Sequence, residues 1–255
     1  MQNSEHILTD PPPPADARLR YGSDPNQFGD LRLPRGKGPF PAAMMIHGGF
    51  WRARYDLVHE SFFCAALARA GFVTWNIEYR RVGNAGGGWP GSFEDITAAY
   101  QFLRQLAGRY AIDPQRILVL GHSAGGELSL ALAAHHNSMR AVVALAGVVD
   151  LREAWELHLS NDAVAEFLGG PPQHVPEHYR EASPAELDIH TRQLLIHGTD
   201  DDIVPVAMSR DYVKQKPRKG ENVSLLEIPK AGHFEIIDPQ SSVWAKVQEA
   251  VLALV

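Results

Sequence analysis

An α/β fold, with a mostly parallel central sheet of about eight strands flanked by helices on both faces, is predicted by three features of the 255-residue chain. Short apolar runs without polar alternation recur along it, as strands covered on both faces require. Between them lie segments with apolar residues at helical spacing, so strand and helix alternate as in βαβ units. One strand-to-helix junction reads Gly121-His122-Ser123-Ala124-Gly125, a sharp turn of the kind that presents a side chain above the end of such a sheet.

Composition narrows the classes that this fold could serve. The chain is 45% hydrophobic and 21% charged with a net charge of −6, and no block of Lys or Arg interrupts it. A nucleic-acid or anionic-membrane partner would want a basic stripe, so neither is expected. The single Cys64 excludes an internal disulfide and a multi-thiolate metal site, and within Phe62-Phe63-Cys64-Ala65-Ala66-Leu67 it is expected to be a small buried residue. No apolar run approaches the roughly 18 residues that span a bilayer. The first residues carry neither the basic nor the apolar region of a secretory signal. The expectation is one cytoplasmic domain over residues 1–255, with a homodimer compatible with it.

The elements follow in chain order. Asp10-Pro11-Pro12-Pro13-Pro14-Ala15 is expected to be extended and semi-rigid, making residues 1–17 an N-terminal arm outside the core. Two short strands are expected at Arg18–Tyr21 and Asp30–Leu33, around a turn-rich Gly22-Ser23-Asp24-Pro25-Asn26. Ala42–Ile46 is a stronger strand that stops at His47-Gly48-Gly49. Leu57–Ala70 reads as a helix ended by Gly71, and Phe72–Ile77 as a strand. Phe93, Ile96, Ala99, Leu103, Leu106 and Tyr110 predict a helix over Phe93–Tyr110. Arg116–Leu120 is a strand, Ala124–Ala134 a helix, and Ala141–Leu145 a strand. Gln193–Ile196 and Val223–Ile228 supply the last two strands, and Val243, Val247 and Val251 mark a closing helix. About 150–190 is the one long departure, without a clear strand, and a connection of that length points to a lid or binding loop.

Chemistry concentrates at the strand ends. In G-x-S-x-G the glycines permit a turn too tight for side chains, Ser123 is lifted above the sheet, and the following helix points free N–H groups at the same place. A serine hydroxyl needs a base to take its proton, and in this architecture the acid and the base follow at later strand ends. His233, in Pro229-Lys230-Ala231-Gly232-His233-Phe234 after the last strand, is the natural base. Asp201 is the preferred acid within His197-Gly198-Thr199-Asp200-Asp201-Asp202. Asp200 and Asp202 are expected to cap the next helix or be solvated, and Asp150 is an outside candidate. The amide of Ala124 and those of Gly49 and Phe50, after the strand Ala42–Ile46, would face a developing oxyanion.

These motifs resemble the α/β-hydrolase superfamily over about Tyr21–Val255, which implies the α/β-hydrolase fold with a short lid or cap insertion. His47-Gly48-Gly49-Phe50-Trp51 and Gly121-His122-Ser123-Ala124-Gly125-Gly126 are similar to the arylformamidase (kynurenine formamidase) and hormone-sensitive-lipase-like carboxylesterase branch. Glu78-Tyr79-Arg80-Arg81 and Trp89-Pro90-Gly91-Ser92-Phe93-Glu94-Asp95 match its strand-to-helix segment. The resemblance implies a Ser123–Asp201–His233 hydrolase without a cofactor, acting on a small-molecule ester or amide. The Trp after H-G-G points to the formamidase side. His122 departs from the Asp usual before the serine in the lipase-like branch.

Trp51, Trp89 and His122 are candidate substrate contacts, and Gly83, Gly86, Gly87 and Gly88 read as a mobile loop over the site. No metal is expected. His59-Glu60 begins like H-E-x-x-H but lacks the second histidine, and Pro176 lies between His174 and His178. A peptidase of the same fold and a non-catalytic binding protein are the alternatives. The first lacks a gating domain, and the second would miss a triad member.

Overall fold

Eight strands form one sheet in the order β1-β2-β4-β3-β5-β6-β7-β8. They are β1 (Ala17–Arg20), β2 (Phe28–Arg32), β3 (Phe40–Ile46), β4 (Val73–Ile77), β5 (Ile112–His122), β6 (Ala141–Leu145), β7 (Gln193–Gly198) and β8 (Val223–Ile228). The computed structural model describes residues 4–216 and 220–255, so the start of the expected N-terminal arm, residues 1–3, lies outside the described residues. β2 pairs antiparallel with β1 and β4, and every other pairing is parallel.

The apolar runs behave as their lack of alternation requires. β4, β6 and β7 are buried at every position, whereas the edge strand β1 alternates between half-buried and exposed. Successive side chains point to opposite faces, which splits the interior into two cores. Met44, Trp75 and Val119 face α3 (Gly91–Gln105) and α4 (Ala124–His135). Met45, Leu118 and Val143 face α2 (Ser61–Arg69) and α9 (Trp244–Leu252). Cys64 lies in the second core as expected of a small apolar residue, and burial pushes its thiol up to about 12.

Three expectations about elements need correction. The single helix over Leu57–Ala70 is instead a 3-10 turn, Leu57–Glu60, followed by α2. The Asp56 carboxylate accepts from the Val58 amide and sets the tighter turn, which tucks His59 and Glu60 inward. The N-terminal arm is not wholly extended: α1 (His6–Thr9) buries Ile7 completely, and Ser4 Oγ donates to Asp238 Oδ2 at 2.7 Å. The stretch at about 150–190 is largely helical, comprising α5 (Leu151–Glu156), α6 (Ala163–Leu168) and α7 (Pro176–Ala182). Its core residues Phe167 and Tyr179 are buried against the rest of the domain, so it packs as a buttress rather than lying over an opening. One helix after Asp201, α8 (Val206–Gln215), completes the layer on that side.

Candidate active site

The sheet's neighbours to β3 are β4 on one side and β5 on the other, so the loops leaving β3 and β5 diverge and open a crevice at their C-terminal ends. Ser123 sits there, immediately after β5. Its backbone is left-handed at φ 56°, ψ −119°, and α4 begins at the next residue. That conformation is costly for a residue with a Cβ, and the surrounding contacts enforce it. The Ser123 amide donates to Leu145 O at 2.8 Å, and its carbonyl accepts from Gly126 and Val148. Gly121 is needed because a Cβ there would lie 1.9 Å from Gly125 O.

Asp201 and His233 arrive from the ends of β7 and β8. These two loops cross so closely that a Cβ on Gly198 would lie 2.2 Å from Ala231 O. His233 Nδ1 lies 2.7 Å from Asp201 Oδ2. The other oxygen, Oδ1, accepts the amides of Ile203 and Val204 at 2.9 and 2.8 Å, while His197 Nε2 approaches Oδ2 at 3.2 Å. Burial alone would raise Asp201, but hydrogen bonds from His197 and His233 outweigh it and hold the carboxyl well below its ordinary range. Burial, then the neighbouring His122, push His233 down to about 4 against the pull of Asp201. Asp200 is exposed and takes a bond from Thr199 Oγ1. Asp150 caps α5 by accepting the amides of Arg152 and Glu153, so the outside candidate for the acid is used elsewhere. Neither Asp200 nor Asp202 caps α8, whose N-cap is Pro205.

The loop after β3 holds Gly49, Phe50 and Trp51 in succession at positive φ, of 104°, 50° and 56°. Two of the three carry side chains, so the strain is real and has to be sustained by neighbours. His47 Nδ1 donates to Gly48 O at 2.7 Å, and His47 Nε2 meets Glu78 Oε1 at 2.9 Å. Arg81 pairs with the same carboxylate at 3.0 Å, and Tyr79 Oη donates to His47 O. Burial pushes Glu78 up, but His47 and Arg81 hold it below the usual carboxylate range. Glu78, Tyr79 and Arg81 thus splint the H-G-G loop, while Arg80 pairs with Asp95. Among the described residues the amides of Gly49 and Phe50 donate no hydrogen bond, which leaves them free for a ligand.

Ser123, His233, Gly49 and Phe50 border one cavity of about 270 Å³, closed by Leu8, Tyr55, Ile203 and Phe234 and floored by His59 and His122. Ser123 Oγ makes no hydrogen bond among the described residues, and it borders the same cavity as His233; nucleophile–base bonds are often long or unformed until substrate binds. His122 lines the cavity, its ring tilted against that of His233 with centroids 4.5 Å apart.

Two expected substrate contacts fail. Trp51 is fully buried, lies flat on Phe167 at 4.6 Å, and donates its indole N–H to Glu127 Oε2 at 2.8 Å. Burial raises Glu127 well above the carboxylate range, with only Trp51 opposing. Trp89 packs on Phe93 and Phe167 and does not border the cavity. Nor do residues 83–88. Their turn is tied at its end by Ser92, whose Oγ donates to Arg80 O and accepts from the Gly88 amide, so the loop expected over the site is instead an exposed turn anchored away from the cavity. Sequence reasoning missed Leu8, Tyr55, Ile203 and Phe234, for which no local pattern gave a signal.

Residues 30–215 match the BD-FAE family. The chain belongs to that family. The BD-FAE match includes Ser123 and Asp201 and stops short of His233. Among curated relatives, esterase LipC of Mycobacterium tuberculosis (strain ATCC 25618 / H37Rv) is 29% identical over 249 residues, covering 87% of this chain and 60% of LipC. A versiconal hemiacetal acetate esterase of Dothistroma septosporum is 27% identical over 203 residues, covering 76% of this chain and 53% of that protein. The chain therefore spans little more than half the length of these curated relatives. Of solved structures, a truncated carbohydrate esterase from gut microbiota superposes with a TM-score of 0.80 at 24% identity, covering 96% of this chain and 98% of that one. These likenesses show the α/β-hydrolase fold. Among the described residues no helix is long and apolar enough to cross a membrane.

Proposed function

We propose that this BD-FAE chain is a serine hydrolase that cleaves a small-molecule carboxylic ester through an acyl-enzyme. The observation that carries the reading is His233, bonded through Nδ1 to Asp201 at 2.7 Å while its ring borders the same cavity as Ser123. His233 takes the Ser123 proton as the hydroxyl attacks the ester carbonyl, and Asp201 holds the ring with Nε2 turned toward the serine. The amides of Gly49, Phe50 and Ala124 stabilise the oxyanion. His233 then protonates the leaving alcohol, and water repeats the sequence to free the acid and Ser123.

The likeness to esterase LipC and to the versiconal hemiacetal acetate esterase supports ester over other acyl bonds. Leu8, Phe50, Ile203 and Phe234 make an apolar enclosure suited to a short acyl or aryl group. An aryl formamide has the same carbonyl and the smallest acyl group, so it belongs in the same test, as does an aminoacyl arylamide. Ser123→Ala should lower p-nitrophenyl acetate turnover by about 10⁴-fold or more with the circular dichroism spectrum unchanged. Turnover retained in that variant would refute the nucleophile. A panel of p-nitrophenyl esters, N-formylkynurenine and aminoacyl arylamides then ranks the bond types, and the highest kcat/KM on an amide would overturn the ester assignment.

A further inference from the structure

His59 and His122 border the cavity and Glu60 is buried behind them, three side chains for which hydrolysis gives no use. Each is at most 7% exposed. Glu60 Oε1 lies 3.1 Å from His122 Nδ1 and 3.4 Å from His59 Nε2, and the three atoms all lie within 4.8 Å of one another. A tetrahedral zinc ion with bonds of about 2.0–2.1 Å holds its ligand atoms about 3.3 Å apart. Two edges of that figure are already present, sharing one carboxylate oxygen as their corner.

The hydrogen bonding points the same way. Both Glu60 oxygens and His122 Nδ1 are buried without a hydrogen-bond partner among the described residues, although Nδ1 approaches Oε1 to 3.1 Å. His122 Nε2 is 3.1 Å from His233 O, and a carbonyl only accepts, so Nε2 carries the hydrogen and Nδ1 is the atom turned to Glu60. A zinc-bound imidazole has this arrangement: one nitrogen on the metal, the other N–H on a backbone carbonyl or carboxylate. A buried carboxylate with neither oxygen bonded is costly, and a cation between the three atoms removes that cost.

We propose that His59 Nε2, Glu60 Oε1 and His122 Nδ1 form a zinc site beside the catalytic cavity, with its fourth position open to the space that His59 and His122 border. Two imidazoles and a carboxylate are a donor set that suits zinc. The H-E-x-x-H pattern is incomplete in the sequence because its second histidine comes from the end of β5 rather than the next helical turn. A proton shared between Glu60 and His122 is the competing arrangement, and it gives His59 no part. The site is independent of the hydrolytic reading.

The test uses the full chain, stripped with a chelator, reloaded with zinc, desalted and assayed for metal by mass spectrometry. About one zinc per chain should remain in the wild type, in Ser123→Ala and in the exposed control His174→Ala. Glu60→Gln and His59→Ala should each weaken binding by about 100-fold or more, beyond the loss from removing only an outer hydrogen bond to a ligand. Cobalt(II) should give the visible bands of a tetrahedral site in the wild type and lose them in Glu60→Gln. Should the variants fail to fold, the wild-type zinc content and cobalt spectrum decide alone. A folded wild type that retains no zinc, or equal retention in folded Glu60→Gln and His59→Ala, overturns the proposal.

Discussion

Asp201→Asn isolates the role of the acid with almost no change of shape. Oδ1 of Asp201 accepts two backbone amides, from Ile203 and Val204, so the asparagine must keep its oxygen there. Its NH₂ is then forced into the position of Oδ2, facing His233 Nδ1 and His197 Nε2. His197 Nε2 already donates to Val204 O at 2.9 Å, so that contact becomes donor against donor. His233 responds by accepting at Nδ1, which moves its hydrogen to Nε2 and leaves it unable to take the serine proton. A wrong tautomer of this kind in a Ser-His-Asp triad costs about 10⁴-fold in kcat, or about 5.4 kcal/mol of barrier. The assay is p-nitrophenyl ester hydrolysis beside a denaturation curve that checks the fold. Asp200→Asn, exposed, and Asp150→Asn, at the cap of α5, should stay close to wild type. If Asp201→Asn keeps turnover within about tenfold of wild type while Asp150→Asn loses it, the acid has been misassigned.

Four further outcomes follow from the same contacts. His233 must be neutral to act as base, so kcat/KM should fall as pH drops through about 4 and be flat by about pH 6, and an acid limb near 7 would contradict the burial argument. A cation on His122 would push His233 lower still, so the direction holds with the zinc site filled. The same depression means that the unfolded chain binds more protons between about pH 6.5 and 4, so His233 contributes a loss of stability as pH falls across that window, measurable by urea midpoints. Trp51→Phe removes the hydrogen bond to buried Glu127 and should cost about 1–3 kcal/mol by denaturation while leaving KM unchanged; a raised KM with normal stability would return Trp51 to the substrate. Leu8→Ala opens the rim of the cavity and should shift preference toward longer acyl chains at a stability cost within about 0.5 kcal/mol, and an unchanged chain-length profile would remove α1 from the site.

The parts of the site legible in the sequence are those whose geometry is local. Ser123 could be read because a strand, a Gly-flanked turn and a helix are consecutive, and the turn is enforced by atoms within a few residues. His233 and Asp201 were legible by their position after strands, since a parallel sheet gathers the ends of its strands along one edge. The two tryptophans were misread for the converse reason. Spacing shows that Trp51 is apolar and near the site, but not that its loop turns through positive φ and sends the indole back onto Phe167 and Glu127. The packing of residues 150–190 was equally hidden, because short helices buried by contact with α4 and the H-G-G loop need no strong periodicity of their own.

By itself, the sequence determined the α/β alternation, the parallel sheet and the Ser123 elbow, because each follows from hydrogen-bond geometry and burial within a short stretch of chain. Tertiary structure alone decided what faces the cavity. Leu8 comes from the N-terminal arm, and the 3-10 turn brings His59 and Glu60 under His122 from the end of β5. The direction in which a buried side chain points depends on the closing of loops distant in sequence, and no spacing along the chain encodes that.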